Sequence, residues 1–146
     1  MVNSDYCGLE FKSANISVLI HATEDEKKVL EVICTALNIP LEGFVFVTME
    51  GHYGNTVRIA KANLIGADVD ALATEILESI SRDDKVMMAK EIETHLDDDG
   101  NFYIRLSKQE LVRGTFRLSE NDPVRIMIKS GGTYNDILDS YRKLFT

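Results

Sequence analysis

The spacing of apolar and polar residues divides the chain into strands, with every second residue apolar, and helices, with apolar residues three or four apart. In order, the pattern predicts a strand within 9–22, a helix to about 37, strands at 43–50 and 56–64, a helix from about 68, a shorter helix at 84–95, strands near 101–107, 115–119 and 123–129, and a helix after 133. Short turns between consecutive strands favour antiparallel pairing. The predicted class is therefore α+β, with two layers: a mainly antiparallel sheet and helices packed on one of its faces.

Capping residues and glycines predict where the helices begin and how the domain is organised. Thr23 and Thr133 precede helical patterns and are predicted N-caps. Gly131-Gly132 is predicted to form a hinge before the last helix. We therefore predict one α+β domain over residues 1–130 and a helical appendage over residues 131–146. The apolar stripe of that helix would dock on its own domain or on a second copy of the chain.

The composition is that of an ordinary globular protein. Of the 146 residues, 45% are apolar and 27% are charged, and no apolar run approaches the length of a membrane span. The first residues lack the positive region and apolar stretch of a signal peptide, so we expect a cytoplasmic protein. Cys7 and Cys34 lack metal-ligand spacing and are expected to be buried small hydrophobic residues in a reducing compartment.

The charges are distributed unevenly between the two parts of the chain. The net charge is −8, which by itself disfavours binding to nucleic acid. However, residues 1–100 hold 19 acidic and 8 basic side chains, whereas residues 101–146 hold 5 acidic and 8 basic ones. An anionic partner is therefore expected to bind mostly to the C-terminal part.

The late strands are predicted to bring cations together on one face of the sheet. Because side chains alternate along a strand, Phe102, Ile104 and Leu106 face one way and Tyr103 and Arg105 the other. The same alternation places these further side chains on the polar face: Thr115, Arg117, Arg125, Met127 and Lys129. Arginine binds phosphate and stacks on bases, and tyrosine offers a stacking surface, so this face suits RNA. The alternative is an ordinary solvated face, which every half-exposed sheet has.

Two other segments offer candidate contacts. Lys108 and Arg113, in the connection after the first late strand, are predicted to extend the cationic face. His52 and Tyr53 lie in a glycine-flanked loop that ends with Asn55, and Arg58 and Lys61 follow in the next strand. A plain tight turn, in which the glycines supply positive φ, explains the loop equally well.

No catalytic motif is present. The sequence lacks HExxH, GxSxG, a P-loop and GxGxxG, and its three histidines lie in different predicted elements. We therefore expect no enzyme, no catalytic residue, no cofactor and no metal. Less favoured alternatives are a hydrolase or nuclease that uses His52 and nearby acids, and a thiol enzyme that uses Cys34.

Three segments together resemble one known family. They are residues 21–31, the hairpin motif Glu50–Asn55 and the segment Asp98–Gln109, which contains Asp-Gly-Asn, a strand and Lys-Gln. The family is that of archaeal RNA-binding domain proteins, described as predicted exosome subunits, with a fold like the large-subunit ribosomal protein that binds 5S RNA. The resemblance implies a non-catalytic RNA-binding protein, accessory to exosome or ribosome-related RNA processing, with RNA and components of that machinery as partners.

The resemblance and the strand pattern together define the predicted RNA-binding set. The resemblance contributes His52, Asn55, Arg58 and Lys108. The full set is His52, Tyr53, Asn55, Arg58, Lys61, Tyr103, Arg105, Lys108, Arg113, Arg117, Arg125 and Lys129. The alternative function is a homodimeric protein–protein adaptor that associates through the C-terminal helix and makes no direct contact with RNA.

Overall fold

Five strands form one antiparallel sheet in the computed structural model, which describes residues 9–50 and 56–146. The strands are β1 (Glu10–His21), β2 (Val45–Glu50), β3 (Thr56–Ile65), β4 (Phe102–Ser107) and β5 (Pro123–Gly131). Their order across the sheet is β2-β3-β1-β5-β4, and all four neighbouring pairs are antiparallel. The predicted α+β class is confirmed, and the first strand lies at the centre of the sheet.

The helices form the second layer of the fold. They are α1 (Glu26–Leu37), α2 (Ala67–Ser79), α3 (Arg82–Lys90), a short 3-10 helix (Ile92–His95), α4 (Lys108–Val112) and α5 (Tyr134–Phe145). Apolar side chains of these helices are buried in one cluster with alternate residues of the sheet. Among the helices of the described segments, none combines the length and the apolar character that crossing a lipid bilayer requires.

Alternation along the strands separates a buried face of the sheet from an open one. The buried side chains are Ala14, Ile16, Val18 and Ile20 in β1, Ala60, Ala62 and Leu64 in β3, Phe102, Ile104 and Leu106 in β4, and Val124, Ile126 and Ile128 in β5. The residues between them point to the opposite side, which we call the outer face. The register of the sheet therefore determines which polar side chains become neighbours on the outer face.

Residues 115–119, predicted as a strand, do not form one. Leu118 makes an isolated bridge to Leu106, but its N–H donates to Asp84 Oδ2 at 3.0 Å. Gly114, with φ of 86°, turns the chain just before this segment. A regular ladder does not extend here because β4 passes directly into α4 at Lys108, and Thr115 N donates to Glu110 O in the turn that follows that helix.

The N-cap predicted at Thr23 is also wrong. Asp25 is the N-cap of α1, and its Oδ1 accepts a hydrogen bond from Lys28 N at 3.3 Å. The preceding residues form a turn, in which Glu24 N donates to His21 O at 2.9 Å. The chain therefore needs two more residues than predicted before it enters the helix.

Helix α5 packs against the sheet of its own chain. Thr133 caps it as predicted, since its Oγ1 accepts from Asp136 N at 3.2 Å. The ring of Tyr141 stacks on Phe102 of β4 with centroids 4.2 Å apart, and Phe145 stacks on Phe102 at 5.9 Å. The apolar stripe of this helix therefore belongs to the core formed by the sheet.

This packing predicts that α5 contributes strongly to stability. Replacing the buried Tyr141 (Tyr141→Ala) is expected to lower the free energy of unfolding by about 3–5 kcal/mol, because the cavity lies against Phe102. Tyr134→Ala, at an exposed position of the same helix, is the matched control and should change it by about 0.5 kcal/mol or less. Denaturant unfolding followed by circular dichroism measures both, and equal effects would contradict the packing.

Candidate nucleic-acid interface

A row of polar side chains crosses four strands on the outer face. Lys61 of β3 pairs with Ser17 of β1, Ser17 pairs with Arg125 of β5, and Arg125 pairs with Arg105 of β4. Neighbouring strands are about 4.8 Å apart, so the backbones of Lys61 and Arg105 are separated by about 14 Å. The fold thus brings together three of the predicted RNA-binding cations from positions distant in the sequence.

The next rows continue this polar surface. Asn63, Asn15, Met127 and Tyr103 form one row, in the same strand order. Lys129 follows along β5 and pairs with Ser13. We call the cationic half of the outer face the basic row surface; it consists of Ser13, Asn15, Ser17, Lys61, Asn63, Tyr103, Arg105, Arg125, Met127 and Lys129.

One carboxylate lies at an outer-face position of the described strands: Glu10, which is opposite Gly131 at the start of β1. The other polar and titratable outer-face positions carry Lys, Arg, His, Asn, Ser or Tyr, although the chain has 24 acidic residues, and the row that contains Lys61, Arg125 and Arg105 has no acid. Arg105 and Arg125 are directly opposite each other, which is unfavourable for like charges. The nearest counter-ion is Glu120, whose Oε1 lies 3.8 Å from Arg105 Nη1 and whose side chain is 84% exposed. Within the described residues, Arg125 has no ion-pair partner.

Two shallow depressions lie side by side on this surface. The first has a volume of about 190 Å³ and is lined by Tyr103, Arg105, Arg125 and Met127 together with Asn15 and Ser17. The second, of about 500 Å³, lies on the other side of β1, between Lys61, Asn63 and Val45. Both include Asn15 and Ser17, so the central strand forms the boundary that the two depressions share.

Tyr103 is held in place at one edge of the basic row surface. Its hydroxyl donates to Asp97 Oδ2 at 3.0 Å, and this hydrogen bond, together with burial and nearby negative charge, raises the pKa of Tyr103. Partial burial would raise the pKa of Asp97, but hydrogen bonds from Asn101, Tyr103 and Asp99 keep it below its usual value. The phenol therefore remains a donor, and its ring stays next to the cations.

Lys108, a predicted RNA contact, is buried instead. Its side chain is 2% exposed, and its ammonium donates to Leu19 O at 2.7 Å, Glu24 Oε1 at 2.7 Å and Asp122 Oδ2 at 2.9 Å. All three N–H donors of the ammonium are therefore used within the protein. The structure corrects the prediction: Lys108 joins α4 to the end of β1 and the start of β5.

The same cluster is the one place in the described segments where ligand atoms of three His, Cys, Asp or Glu side chains come close enough to hold a metal ion. His21, Glu24 and Asp122 contribute the atoms, and His21 Nε2 lies 3.3 Å from Asp122 Oδ1. The Lys108 ammonium already lies between the two carboxylates. The cluster therefore contains its own cation, held by charge-assisted hydrogen bonds.

Arg58 and Arg113 lie away from the outer face. Arg58 shares the core side of β3 with Ala60, pairs with Glu26 Oε1 at 2.9 Å, and stacks over Phe46 at 4.5 Å from the ring centroid. Arg58 was predicted to contact RNA together with Lys61. However, the two residues are separated by an odd number of positions in β3, so their side chains point to opposite faces of the sheet. Arg113 follows α4 and lies 3.7 Å from its neighbour Glu110, in the helical layer.

Of the remaining predicted residues, one lies beside the basic row surface and three lie outside the described residues. Arg117 is exposed next to β4, and its carbonyl accepts a hydrogen bond from Ser107 N at 2.8 Å, so it borders the basic row surface. The predicted contacts His52, Tyr53 and Asn55 lie outside the described residues.

The polar residues of the central strand, and Asn63 of β3, were not among the predicted contacts. Asn15, Ser17 and Asn63 lie between the cations, but they looked like ordinary strand residues. The available signal was the alternation of polar residues at 13, 15 and 17 with apolar residues between them. Their importance depends on β1 lying between β3 and β5, which no local pattern indicates.

The thiol of Cys34 is buried, as predicted. Burial, with a further contribution from the charge of Glu42, raises the pKa of this thiol to about 11. The thiolate needed for nucleophilic chemistry is therefore scarce near neutral pH. Cys7 lies outside the described residues.

Comparisons with known proteins indicate the family. Residues 13–130 match a family model described as RNA binding. The uncharacterized protein MJ0213 of Methanocaldococcus jannaschii is 32% identical over 117 residues, which are 77% of this chain and 78% of that protein. RNA-binding protein PAB1135 of Pyrococcus abyssi is 28% identical over 130 residues, which are 84% of each chain.

Solved structures share the fold. Mth689, a DUF54 protein from Methanothermobacter thermautotrophicus, superposes with a TM-score of 0.78 at 20% identity, covering 93% of this chain and 98% of its own. Protein SSO0741 from Sulfolobus solfataricus gives 0.75 at 29% identity, covering 91% and 96%. The predicted likeness to the ribosomal protein that binds 5S RNA stays a prediction.

The environment of Lys108 predicts a structural role. Lys108→Met is expected to lower the free energy of unfolding by about 3–5 kcal/mol, because Glu24 and Asp122 lose the charge between them. Arg113→Met removes an exposed cation from the same connection and should cost about 0.5 kcal/mol or less. Urea unfolding compares the two, and a Lys108 variant as stable as the Arg113 variant would disprove the assignment.

Proposed function

Because the chain belongs to the RNA-binding family, whose model matches residues 13–130, we propose that it binds RNA through the basic row surface. One observation carries the proposal: Arg105 and Arg125 face each other across β4 and β5, with no carboxylate in their row of the sheet. Two guanidinium groups held side by side are stabilised when an anion lies between or above them. The phosphate groups of RNA supply such anions, and arginine can bind them with two parallel hydrogen bonds.

The distribution of charge supports one orientation of the RNA. The protein has a net charge of −8, so most of its surface repels a polyanion. The outer-face positions of the described strands contribute the cations Lys61, Arg105, Arg125 and Lys129 and one carboxylate, Glu10 at the start of β1. Long-range repulsion and local attraction together direct RNA to this face, and both effects weaken as salt screens them.

We propose that binding takes place without catalysis. The His and carboxylate cluster at His21, Glu24 and Asp122 resembles what a metal-dependent nuclease uses, but Lys108 takes up two of its carboxylate oxygens. The buried Cys34 thiol, with its raised pKa, is a poor nucleophile. These two features favour a binding protein over the hydrolase and thiol-enzyme alternatives.

The partners beyond RNA stay predictions. The expected association with the exosome or with ribosome-related processing follows from the resemblance in sequence. The alternative function, a homodimeric adaptor that uses the C-terminal helix, is less well supported because Ile137, Tyr141 and Phe145 of α5 are buried within their own chain.

Removing the facing arginines should weaken RNA binding in a salt-dependent way. Arg105→Gln and Arg125→Gln are each expected to lower affinity and to reduce the slope of log affinity against log salt by about 1, because one phosphate contact is lost. Fluorescence anisotropy with a labelled structured RNA measures the slope.

Arg82→Gln is the matched control for these variants, since Arg82 is an exposed arginine at the start of α3 in the helical layer. The proposal fails if all three variants lose the same affinity, or if the wild-type protein shows no salt-sensitive binding. Gel analysis of the RNA after incubation with Mg²⁺ is expected to show it intact, and cleavage would contradict the non-catalytic assignment.

Glu120 should act as a competitor for Arg105. Glu120→Gln is expected to raise RNA affinity by about two- to five-fold, because Arg105 no longer has an exposed carboxylate at 3.8 Å. Glu110→Gln is the control: it makes the same change in net charge and also frees an arginine, Arg113, but on the helical layer. If the two variants gain RNA affinity equally, the gain comes from the change in net charge and not from freeing Arg105 on the basic row surface.

A further inference from the structure

The basic row surface has little capacity to stack bases. Single-stranded RNA is usually recognised by two or three exposed rings on a sheet, each of which holds an unstacked base. At the outer-face positions of the described strands, Tyr103 is the one phenol or phenyl ring, and its hydroxyl is bound to Asp97. The imidazole of His21 lies at the end of β1 and is paired with Asp122. This surface is therefore poorly suited to reading several splayed bases.

The basic row surface has many more groups that can bind an RNA backbone than rings that can stack on bases. Four side chains between or beside the cations carry hydroxyl or amide groups: Ser13, Asn15, Ser17 and Asn63. Hydroxyl and amide groups both donate and accept hydrogen bonds, so they match the ribose 2′-hydroxyl, which does the same. The cations can therefore bind phosphate, and the neutral polar groups can hydrogen-bond the ribose hydroxyls.

The order of these groups across the sheet is informative. In the central row, Lys61 lies on one side of Ser17, and Arg125 and Arg105 lie on the other. The backbones of Lys61 and Arg125 are two strand spacings apart, or about 10 Å, before their long side chains extend further. Cations thus flank a central strip of hydroxyl and amide groups on both sides.

The grooves of an A-form helix differ in how they present such groups. The major groove is deep and narrow, so a broad sheet face cannot enter it. The minor groove is wide and shallow, displays 2′-hydroxyls and base edges, and has a phosphate strand on each side. Across this groove, ribose hydroxyls and base edges lie between two phosphate strands, as the neutral polar groups lie between cations across the sheet.

We infer that the RNA recognised by the basic row surface is double-helical and is bound across its minor groove, with Lys61 facing one phosphate strand and Arg105 and Arg125 the other. Asn15, Ser17 and Asn63 contact the ribose hydroxyls between them. This inference rests on the proposed function and adds the class of RNA. It predicts preference for duplex over single-stranded RNA, and for RNA over DNA of the same sequence.

Three labelled probes in one anisotropy experiment test the inference: an RNA hairpin, the DNA hairpin of the same sequence, and an unstructured RNA strand of equal length. The RNA hairpin is expected to bind about tenfold more tightly than either of the others. Equal or tighter binding of the unstructured strand would overturn the duplex assignment while leaving RNA binding intact. Equal binding of the DNA hairpin would overturn the role of the ribose hydroxyls. Failure of all three to bind would refute the proposed function itself.

A variant separates hydroxyl recognition from charge. Asn15→Ala leaves every cation in place, so it should reduce the preference for the RNA hairpin over the DNA hairpin by about threefold while the salt slope stays unchanged. Asn135→Ala, at an exposed position of α5, is the matched control and should leave the preference as in the wild type. An Asn15 variant with an unchanged preference would contradict the proposed contact, and circular dichroism verifies that both variants are folded.

Discussion

Burial of one face of the antiparallel sheet is the constraint on which the rest of the structure depends. Because side chains alternate strictly along a strand, placing Ile16, Ile126 and Ile104 in the core forces Ser17, Arg125 and Arg105 outward. A shift of one residue in any strand would bury its polar side chains and expose its apolar ones. The same hydrophobic energy that folds the chain therefore holds the two arginines opposite each other, despite their repulsion.

The buried Lys108 illustrates a second use of positive charge in this protein. Its ammonium binds the carboxylates of Glu24 and Asp122 and the carbonyl of Leu19, and so connects segments that are far apart in the chain. Arg105 and Arg125 have the opposite arrangement: exposed, facing each other, and poorly supplied with counter-ions. The contrast distinguishes a cation whose interactions are satisfied by folding from cations that are available to a ligand.

The net charge of the chain does not show how positive and negative side chains are distributed over its surface. A net charge of −8 suggests a poor partner for nucleic acid, but Glu10 is the one acidic residue at the outer-face positions of the described strands. Such segregation lets an acidic composition coexist with a local surface suited to phosphate. Membership of the RNA-binding family agrees with this arrangement.

The sequence by itself determined the α+β class, the position of most strands and helices, and the outward direction of Tyr103, Arg105, Arg125 and Lys129, because these follow from local periodicity. Only the tertiary structure decided which strands are neighbours, and hence that Asn15 and Ser17 lie between the cations. It also buried Lys108. Such outcomes depend on contacts between residues distant in the chain, such as Lys108 and Leu19, and a local pattern carries no information about them.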